Sequence, residues 1–297
     1  MRVLICGGSG FLGQALARQL LADGHELVIH TRHPHKHRAR GQLQAEWVGA
    51  FKDIREPVQA VVNLTGANLF TLPWTSGRKK TLLDSRIRTT EKLVAWMAAQ
   101  KQKPQVFLTG SAVGFYGDQG DTLLTEDSEP GMGWPTEMVM AWESAARPAE
   151  QSGIRTIYLR TGLVLGSGGG LLQPLLPAFK LGLGGSLADG EFWYSWIHRD
   201  DWVRAVRFLI DTPTLQGPVN LTAPHPVRYQ TFAHCLGRVL RRPVWLTPPR
   251  WLLKPILGER SDLMLASTRA LPDRLVEAGF EWTHEELEPA LAAICRR

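Results

Sequence analysis

Three glycines near the start of the chain have the spacing of a turn that binds a phosphate. Gly7, Gly10 and Gly13 follow the apolar run Val3–Cys6, and a helical apolar pattern begins directly after them. Gly7 permits a sharp turn out of a strand, Gly10 lets backbone approach a pyrophosphate, and Gly13 lets a helix pack closely on the strand. Free N–H groups and the helix dipole then favour an anion. The pattern predicts a dinucleotide-binding turn; the alternative is a glycine-rich turn without a ligand. Further contacts are predicted from Ser9, Phe11 and Leu12.

The end of the next predicted strand indicates which dinucleotide would bind. That strand is Glu26–His30, and Thr31 and Arg32 follow it where NAD-selective sites usually carry Asp or Glu. A carboxylate would repel a 2′-phosphate, whereas a guanidinium can bind one through two charge-assisted hydrogen bonds. The sequence therefore favours NADP(H) over NAD, unless Arg32 points into solvent from a basic loop. Further positive charge is expected nearby from Lys36, Arg38 and Arg40.

The order of predicted elements indicates an α/β fold with a Rossmann-type, doubly wound parallel sheet. Buried strands are predicted at Ala60–Leu64, Gln105–Thr109 and Thr156–Leu159, with helical patterns between them. Gly110 and Ser111 are expected to follow the second of these strands. Ligands of such sheets bind beyond the carboxyl ends of the strands, which places Leu64–Ala67 against the cofactor.

The regular alternation of predicted strands and helices ends at about residue 165. Residues 1–165 are predicted to form the NADP-binding domain, and segments near 195–222 are expected to return to it. Residues 166–297 are predicted to form mainly a smaller C-terminal α+β lobe that binds the substrate. Asp200 or Asp201 is expected to cap the helix that runs to Ile210.

The composition excludes several classes of protein. The chain has 297 residues, 44% hydrophobic and 21% charged, with a formal net charge of +6, as in soluble globular proteins. It has no nucleic-acid motif and no apolar stretch long enough to cross a bilayer. Three widely spaced cysteines lack metal-ligand spacing and indicate a reducing compartment, so a cytoplasmic location is expected. Residues 33–45 are predicted to be a polar loop, and its alternating histidines are attributed to solvation rather than to a metal.

Five motifs, taken in order, resemble the extended short-chain dehydrogenase/reductase superfamily, which contains NAD-dependent nucleotide-sugar epimerases and dehydratases. They are Gly7–Gly13, Asn63–Ala67, Thr109–Gly117, Leu159–Gly166 and Trp196–Asp201. Other stretches resemble an atypical subgroup, the epimerase-family proteins with a DUF1731-type C-terminal domain, expected here from about residue 245. These stretches are Trp74–Lys80, Asp84–Thr90 and the tail near Gly279 and Phe280.

The resemblance implies NADP(H) binding and a substrate cleft between the sheet and the C-terminal lobe. The leading hypothesis is oxidoreductase or epimerase chemistry on a small carbonyl, hydroxyl or nucleotide-sugar-like compound, and a monomer or homodimer is expected. The alternative is an NADP(H)-binding redox sensor or scaffold with little or no catalysis. Beyond the glycine turn, the expected cofactor contacts are Thr31, Arg32, Leu64, Thr65, Gly66, Arg86 and Thr109.

One departure from the superfamily pattern concerns catalysis. Members usually act through Ser or Thr and a Tyr-x-x-x-Lys pair, in which Tyr moves a proton, Lys lowers its pKa and Ser hydrogen-bonds the reacting oxygen. Here Ser111 matches the Ser position, but residues 133–145 contain neither Tyr nor Lys. Ser111 and Tyr116 are therefore predicted to be catalytic, with Glu137 and His198 as other candidates. The alternatives are stacking for Tyr116, a solvent-facing position for Glu137, and structural hydrogen bonds for Ser111 and His198.

Overall fold

A sheet of seven parallel strands forms the centre of the computed structural model, which describes residues 1–40, 43–70 and 72–295. In chain order, the strands of the protein are β1 (Arg2–Cys6), β2 (Glu26–His30), β3 (Glu46–Val48), β4 (Ala60–Asn63), β5 (Val106–Ala112), β6 (Leu123–Leu124), β7 (Arg155–Thr161), β8 (Leu163–Leu165), β9 (Trp193–Tyr194), β10 (Trp196–His198), β11 (Gly217–Leu221), β12 (Val227–Arg228) and β13 (Arg269–Ala270).

The strand order is β11-β7-β5-β4-β1-β2-β3, with β1 near the middle of the sheet. Val3 pairs with Leu27 on one side and with Ala60 on the other, both in parallel register. The remaining short strands form three pairs outside this sheet, namely β8 with β10, β9 with β12, and β6 with β13. The predicted α/β fold with a Rossmann-type parallel sheet is confirmed.

Helices cover both faces of the sheet. They are α1 (Phe11–Ala22), α2 (Pro34–Arg40), α3 (Ser76–Ala98), α4 (Trp134–Ala146), α5 (Pro148–Gln151), α6 (Leu172–Lys180), α7 (Arg199–Asp211), α8 (Tyr229–Leu240), α9 (Arg250–Leu257), α10 (Ser261–Met264), α11 (Asp273–Glu277) and α12 (Leu287–Cys295). Short 3-10 turns lie at Phe51–Asp53, Val113–Tyr116 and Gly258–Arg260. The side chains of residues 38–40, 254, 256 and 257 lie outside the described part of the protein. The predicted basic side chains of Arg38 and Arg40 are among them.

Alternation along β1 explains how two layers of helices are held. Val3 and Ile5 belong to the core beneath α1 and α7, whereas Leu4 and Cys6 belong to the core beneath α3 and α5. Successive side chains of a strand point to opposite faces, so an entirely apolar strand must be covered on both. A further core joins α6, α8 and α12 in the C-terminal lobe, around Phe232 and other buried residues.

Several local predictions were wrong. Helix α2 occupies much of the predicted polar loop 33–45, and β5 continues through Ser111 instead of ending before it. The cap of α7 is neither Asp200 nor Asp201, because His198 Nδ1 accepts the Asp200 N–H at 3.1 Å. Asp201 is fully buried and accepts the backbone N–H groups of residues 283 and 284, both at 2.8 Å. That carboxylate therefore attaches the C-terminal segment to α7.

Candidate functional site

The turn after β1 is built so closely that side chains are excluded at two of its glycines. Gly7 has φ +85°, and a Cβ there would lie 2.8 Å from the Leu64 carbonyl oxygen. A Cβ at Gly13 would lie 2.3 Å from the Gly7 carbonyl oxygen. Gly10 is different, since its nearest neighbour to an added Cβ is the Gly7 oxygen at 3.3 Å. Gly7 and Gly13 therefore shape the turn, while Gly10 keeps the space above it clear.

A cleft of about 650 Å³, called here the glycine cleft, opens at this turn. Its far wall is formed by residues 162–164 after β7 and by residues 170–174 at the start of α6. The structure brings many of the predicted cofactor contacts together on this cleft, namely Gly7, Gly10, Phe11, Leu12, Gly13, Leu64, Gly66 and Arg86. They come from the turn after β1, from α1, from the loop after β4 and from α3, so folding brings them together from distant parts of the sequence.

Other predicted cofactor contacts are not among the residues that line the glycine cleft. Ser9 lies within the turn, and its carbonyl oxygen accepts from the Gln14 amide at 2.7 Å. Thr31 and Arg32 follow β2, where Arg32 is exposed at the same carboxyl edge of the sheet. An exposed guanidinium at this place is accessible to a ligand that extends past β2.

Two threonines predicted to contact the cofactor are part of the protein framework around the cleft and do not line it. The Thr65 hydroxyl donates to Asn63 Oδ1 at 2.6 Å, which fixes the loop after β4. Thr109 is fully buried inside β5, and its hydroxyl has no hydrogen-bond partner in the described part of the protein. Thr109 therefore lies beneath the cleft surface.

Arg86 is the most unusual group on the glycine cleft, because it is a buried cation. It is only 7% exposed, and in the described part of the protein it contacts backbone carbonyls and the Trp142 ring, 5.1 Å from the guanidinium carbon, but no carboxylate. Nη1 donates to the carbonyls of Ala67 at 3.2 Å and Leu82 at 3.1 Å, while Nε has no partner. Burial, with a smaller contribution from Arg78, lowers the pKa of Arg86 to about 10. A buried charge without a counter-charge is costly, so an anion in the cleft would be stabilised strongly.

The predicted catalytic residues belong to a second, fully enclosed set of side chains, called here the buried network. Ser111 donates to Glu143 at 2.5 Å, and Glu143 accepts from Arg160 through two bonds of 3.0 and 3.2 Å. Arg160 Nη1 donates to the Tyr116 hydroxyl at 3.1 Å, and that hydroxyl donates to Asn220 Oδ1 at 2.8 Å. Burial raises the pKa of Tyr116 to about 12, although Arg160 and Asn220 act in the opposite direction.

This arrangement gives Ser111 and Tyr116 structural partners instead of cleft positions. Both hydroxyls donate within the protein, and neither residue is among those that line the glycine cleft or the neighbouring cleft described below. The network ties β5 and α4 to β7 and β11. Sequence reasoning missed Glu143, Arg160 and Asn220, although a charge at position 160 in an apolar strand was a usable signal.

The two other candidates for catalysis are also placed by the structure. Glu137 is exposed in the first turn of α4. His198 is 5% exposed and caps α7, and its ring lies 3.9 Å from the ring of His284, between centroids, at an interplanar angle of 42°. Burial and the neighbouring His284 lower the pKa of His198 to about 4, although Asp200 and Asp201 act in the opposite direction. Both positions match the structural alternatives considered for these residues.

The depressed pKa of His198 predicts a loss of stability in mild acid. The unfolded imidazole takes up a proton near pH 6.5, whereas the folded one resists until about pH 4. The free energy of unfolding should therefore fall as the pH drops through this window. Chemical denaturation at several pH values measures it in wild type and in His198→Asn, which keeps a capping oxygen. The free energy of unfolding should fall less between neutral and acidic pH in His198→Asn than in wild type. Exposed His35→Asn is the control and should behave like wild type. Equal pH profiles for His198→Asn and wild type would show that His198 does not cause the acid sensitivity.

A second cleft, of about 250 Å³, lies between the sheet edge and the C-terminal lobe and is called here the lobe cleft. Its walls are the 3-10 turn after β5, the start of α4, β9, and five residues of the lobe, namely Arg250, Asp262, Leu263, Ala266 and Thr268. Leu163 lines both clefts, so they adjoin.

In the described part of the chain, no cluster of His, Cys, Asp and Glu could hold a metal ion. Nor does any described helix have the length and apolarity needed to span a membrane.

Comparison with known families gives two matches along the chain. The model of the NAD dependent epimerase/dehydratase family matches residues 3–221. The model of a domain of unknown function, DUF1731, matches residues 248–294. Residues 222–247 lie between the two matched segments.

Several relatives match over nearly the full length. The chain is 35% identical to the epimerase family protein YfhF of Bacillus subtilis, covering 99% of this chain and 98% of that one. It is 36% identical to a chloroplastic epimerase family protein, an SDR39U1 homolog of Arabidopsis thaliana, covering 99% and 86%. Among solved structures, the human epimerase family protein SDR39U1 with NADPH superposes with a TM-score of 0.91 at 29% identity, covering 100% of both chains.

Proposed function

The chain belongs to the NAD dependent epimerase/dehydratase family, and from that premise we propose that it binds NADP(H) in the glycine cleft. We propose further that it acts as an oxidoreductase or epimerase on a small compound held in the lobe cleft. NADPH in the human relative supports the choice of cofactor. The fit is supported by the closely packed turn at Gly7 and Gly13 and by the free space above Gly10.

The observation that carries this proposal is the buried, unpaired charge of Arg86. A cation that is 7% exposed and lines a cleft has its natural counter-charge in an anionic ligand. The diphosphate and 2′-phosphate of NADP(H) supply such charge, and the helix start at Gly10 adds N–H groups for it. Arg86 would then hold the cofactor while its Nη1 keeps the loop carbonyl of Ala67 in place.

Arg86→Met tests the proposal directly. Without the guanidinium, NADPH affinity should fall by about 10- to 100-fold, since a hydrogen bond to a charged group is lost. The unloaded protein should unfold at the same or a higher temperature, because an unpaired buried charge has been removed. Calorimetric titration and thermal unfolding measure the two effects. Arg88→Met is the matched control on the same helix, where Arg88 is exposed and paired with Asp84. Unchanged NADPH affinity in Arg86→Met would count against the site.

Arg32 should determine the choice between NADPH and NADH. A charge-assisted contact with the 2′-phosphate favours NADPH by about 1.5–3 kcal/mol, or about 10- to 100-fold. Both cofactors are titrated at fixed ionic strength in wild type and in Arg32→Ala, with exposed Arg18→Ala as the control. The preference should disappear only in Arg32→Ala. Equal affinities in wild type, or a preference retained by Arg32→Ala, would show that Arg32 does not select the cofactor.

When bound, the reduced cofactor supplies a hydride, and the chain's residues must place an acceptor beside it. Leu163 lies where the two clefts meet, and the lobe cleft offers space for a substrate at that junction. Ser111 and Tyr116 remain the predicted groups for hydrogen bonding and proton transfer. To serve in those roles, their hydroxyls must exchange partners in the buried network for a substrate oxygen.

One observation favours a second candidate function, NADP(H) binding with little or no catalysis. Both predicted catalytic hydroxyls already donate inside the protein, to Glu143 and to Asn220. A single-turnover assay of NADPH oxidation with a panel of carbonyl compounds separates the two functions. Turnover that is slowed in Ser111→Ala and Tyr116→Phe supports catalysis through these residues, whereas NADPH binding without oxidation supports a sensor or scaffold.

The expected location and assembly belong to the same proposal. Cys6, Cys235 and Cys295 are free, as expected in a reducing compartment such as the cytoplasm. A monomer or homodimer is proposed, with a small-molecule substrate and without nucleic-acid or membrane partners. Size measurement in solution, with and without NADPH, tests the assembly.

A further inference from the structure

We propose that the lobe cleft binds a compact, largely apolar carbonyl compound, and not a sugar or a nucleotide sugar. The proposal rests on the proposed function, which supplies the cofactor in the adjoining glycine cleft. It is argued from the size of the lobe cleft, from the hydrogen bonds of its wall, and from the side chains at its rim.

The size of the lobe cleft limits what can enter. Its volume of about 250 Å³ lies just below the range of about 300–1,000 Å³ that is usual for pockets holding drug-sized ligands. A single ring or a short chain fits in that space. A nucleoside diphosphate sugar combines a base, a ribose, two phosphates and a sugar, which is far larger. The glycine cleft cannot take the remainder while it holds the cofactor.

The hydroxyl groups on the wall are already used by the protein. Ser195 Oγ donates to the Thr268 carbonyl at 2.7 Å, and Thr268 Oγ1 donates to the Gly117 carbonyl at 2.9 Å. The Tyr194 hydroxyl donates to the Met264 carbonyl at 3.3 Å. A sugar carries a hydroxyl on almost every carbon, and each one needs a partner when water is removed. Because their protons are committed, these hydroxyls can accept from a sugar but cannot donate to one, which makes the wall a poor match for a sugar.

The rest of the surface suits an apolar ligand. Val113, Pro135, Leu163 and Leu263 supply much of the lining. Met132 lies at the rim with 93% of its side chain exposed, which leaves a large apolar group free to cover a ligand.

The charged side chains on this cleft do not alter that character. Arg250 and Asp262 come from the lobe and are exposed, so their charges lie at the mouth in water. Asp118 Oδ1 accepts the backbone N–H groups of Gly120 and Ser267, both at 3.3 Å, and so holds two loops together. Charge is therefore confined to the entrance and the frame of the cleft, and apolar surface exceeds polar surface in its lining.

Glycine at position 114 allows the cleft to be filled without disturbing its frame. A Cβ there would lie 3.8 Å from Leu263 Cδ1 and 3.9 Å from Val139 Cγ2, which are ordinary contacts. Gly114→Leu therefore projects bulk into the cleft from a position with room for it. Ala266→Leu fills the same cleft from the lobe side, and Gly77→Leu adds the same bulk where no atom lies within 4 Å of a Cβ.

The experiment titrates cyclohexanone, benzaldehyde, glucose and UDP-glucose into NADP⁺-loaded protein, with binding followed by ligand-observed NMR. Cyclohexanone or benzaldehyde should bind wild type and Gly77→Leu, and bind at least about tenfold more weakly in Gly114→Leu and Ala266→Leu. Glucose and UDP-glucose should not bind at the lobe cleft. NADPH affinity, measured separately, should be the same in all four proteins, which also verifies that the variants fold.

Three results would overturn the proposal while leaving cofactor binding intact. They are UDP-glucose or glucose binding that the two filled variants weaken, carbonyl binding that neither filled variant affects, and no binding of either carbonyl probe. Failure of wild type to bind NADPH would instead overturn the proposed function. If Gly114→Leu alone loses NADPH binding, Ala266→Leu decides the outcome.

Discussion

Replacing Arg160 by methionine should destabilise the folded protein by about 3–5 kcal/mol, because it leaves the Glu143 carboxylate buried without its counter-charge. Arg160 is 4% exposed and Glu143 is 6% exposed. Arg160 also supplies donors to the Tyr116 hydroxyl and to the carbonyl of Glu126, each at 3.1 Å, and these acceptors lose a partner in the variant. Urea denaturation gives the free energy of unfolding for both proteins.

The chain contains a matched control for this effect. Arg88 and Asp84 form an ion pair of the same chemistry at 3.1 Å on α3, but their side chains are 66% and 39% exposed. Such surface pairs contribute about 0–1 kcal/mol, so Arg88→Met should unfold close to the wild-type midpoint. Equal decreases in the free energy of unfolding in the two variants would mean that burial does not determine how much the Arg160–Glu143 pair contributes to stability.

Gly10→Val should remove NADPH binding while leaving the protein folded. A Cβ at Gly10 meets little more than the Gly7 carbonyl oxygen, so the fold accommodates it, but the added side chain occupies the space above the turn. A loss of affinity of more than about a hundredfold is expected, since the pyrophosphate of the cofactor can no longer approach the protein backbone. Calorimetric titration with NADPH measures affinity, and thermal unfolding verifies the fold.

Gly13→Ala is the informative comparison, because this variant should lose stability, whereas Gly10→Val should lose NADPH binding and stay folded. Its Cβ would lie 2.3 Å from the Gly7 oxygen and 2.6 Å from Gly8 Cα, so the helix must move away from the turn. Overpacking of this kind costs about 1–3 kcal/mol of stability. A folded Gly10→Val protein that binds NADPH normally would place the cofactor elsewhere, and a Gly13→Ala protein of wild-type stability would contradict the packing argument.

Local sequence patterns predicted much of the sheet and the glycine turn. Strand β2 was predicted at its observed bounds, and β1 and β4 to within one residue, because buried parallel strands are short apolar runs. Helix α2 was missed since its sequence, Pro34–Arg40, is polar throughout and has no apolar stripe. Strand β5 was cut short because Gly110 and Ser111 resemble a turn, although pairing with β7 keeps them extended.

The buried network could not be predicted from neighbouring residues. Arg160 and Glu143 are 17 positions apart, and Tyr116 and Asn220 are 104 positions apart. These side chains meet only after β5, β7 and β11 have paired, which no local pattern encodes. The helical pattern allowed either Arg86 or Arg88 to face the cofactor, and the family resemblance favoured Arg86. The sequence did not reveal that the charge of Arg86 is buried without a carboxylate partner.

The position of β11 constrains how the chain can acquire its structure during synthesis. Gly217–Leu221 pairs with β7, which ends at Thr161, so the intervening lobe segment must be made before the sheet gains its last strand. Leu124 and Ala270 pair across a still longer separation in sequence. Long-range pairings of this kind form slowly, because a large loop must close before any contact offsets its entropy. A nascent chain that has reached only residue 165 therefore lacks the last strand of the sheet and leaves one edge of β7 unpaired.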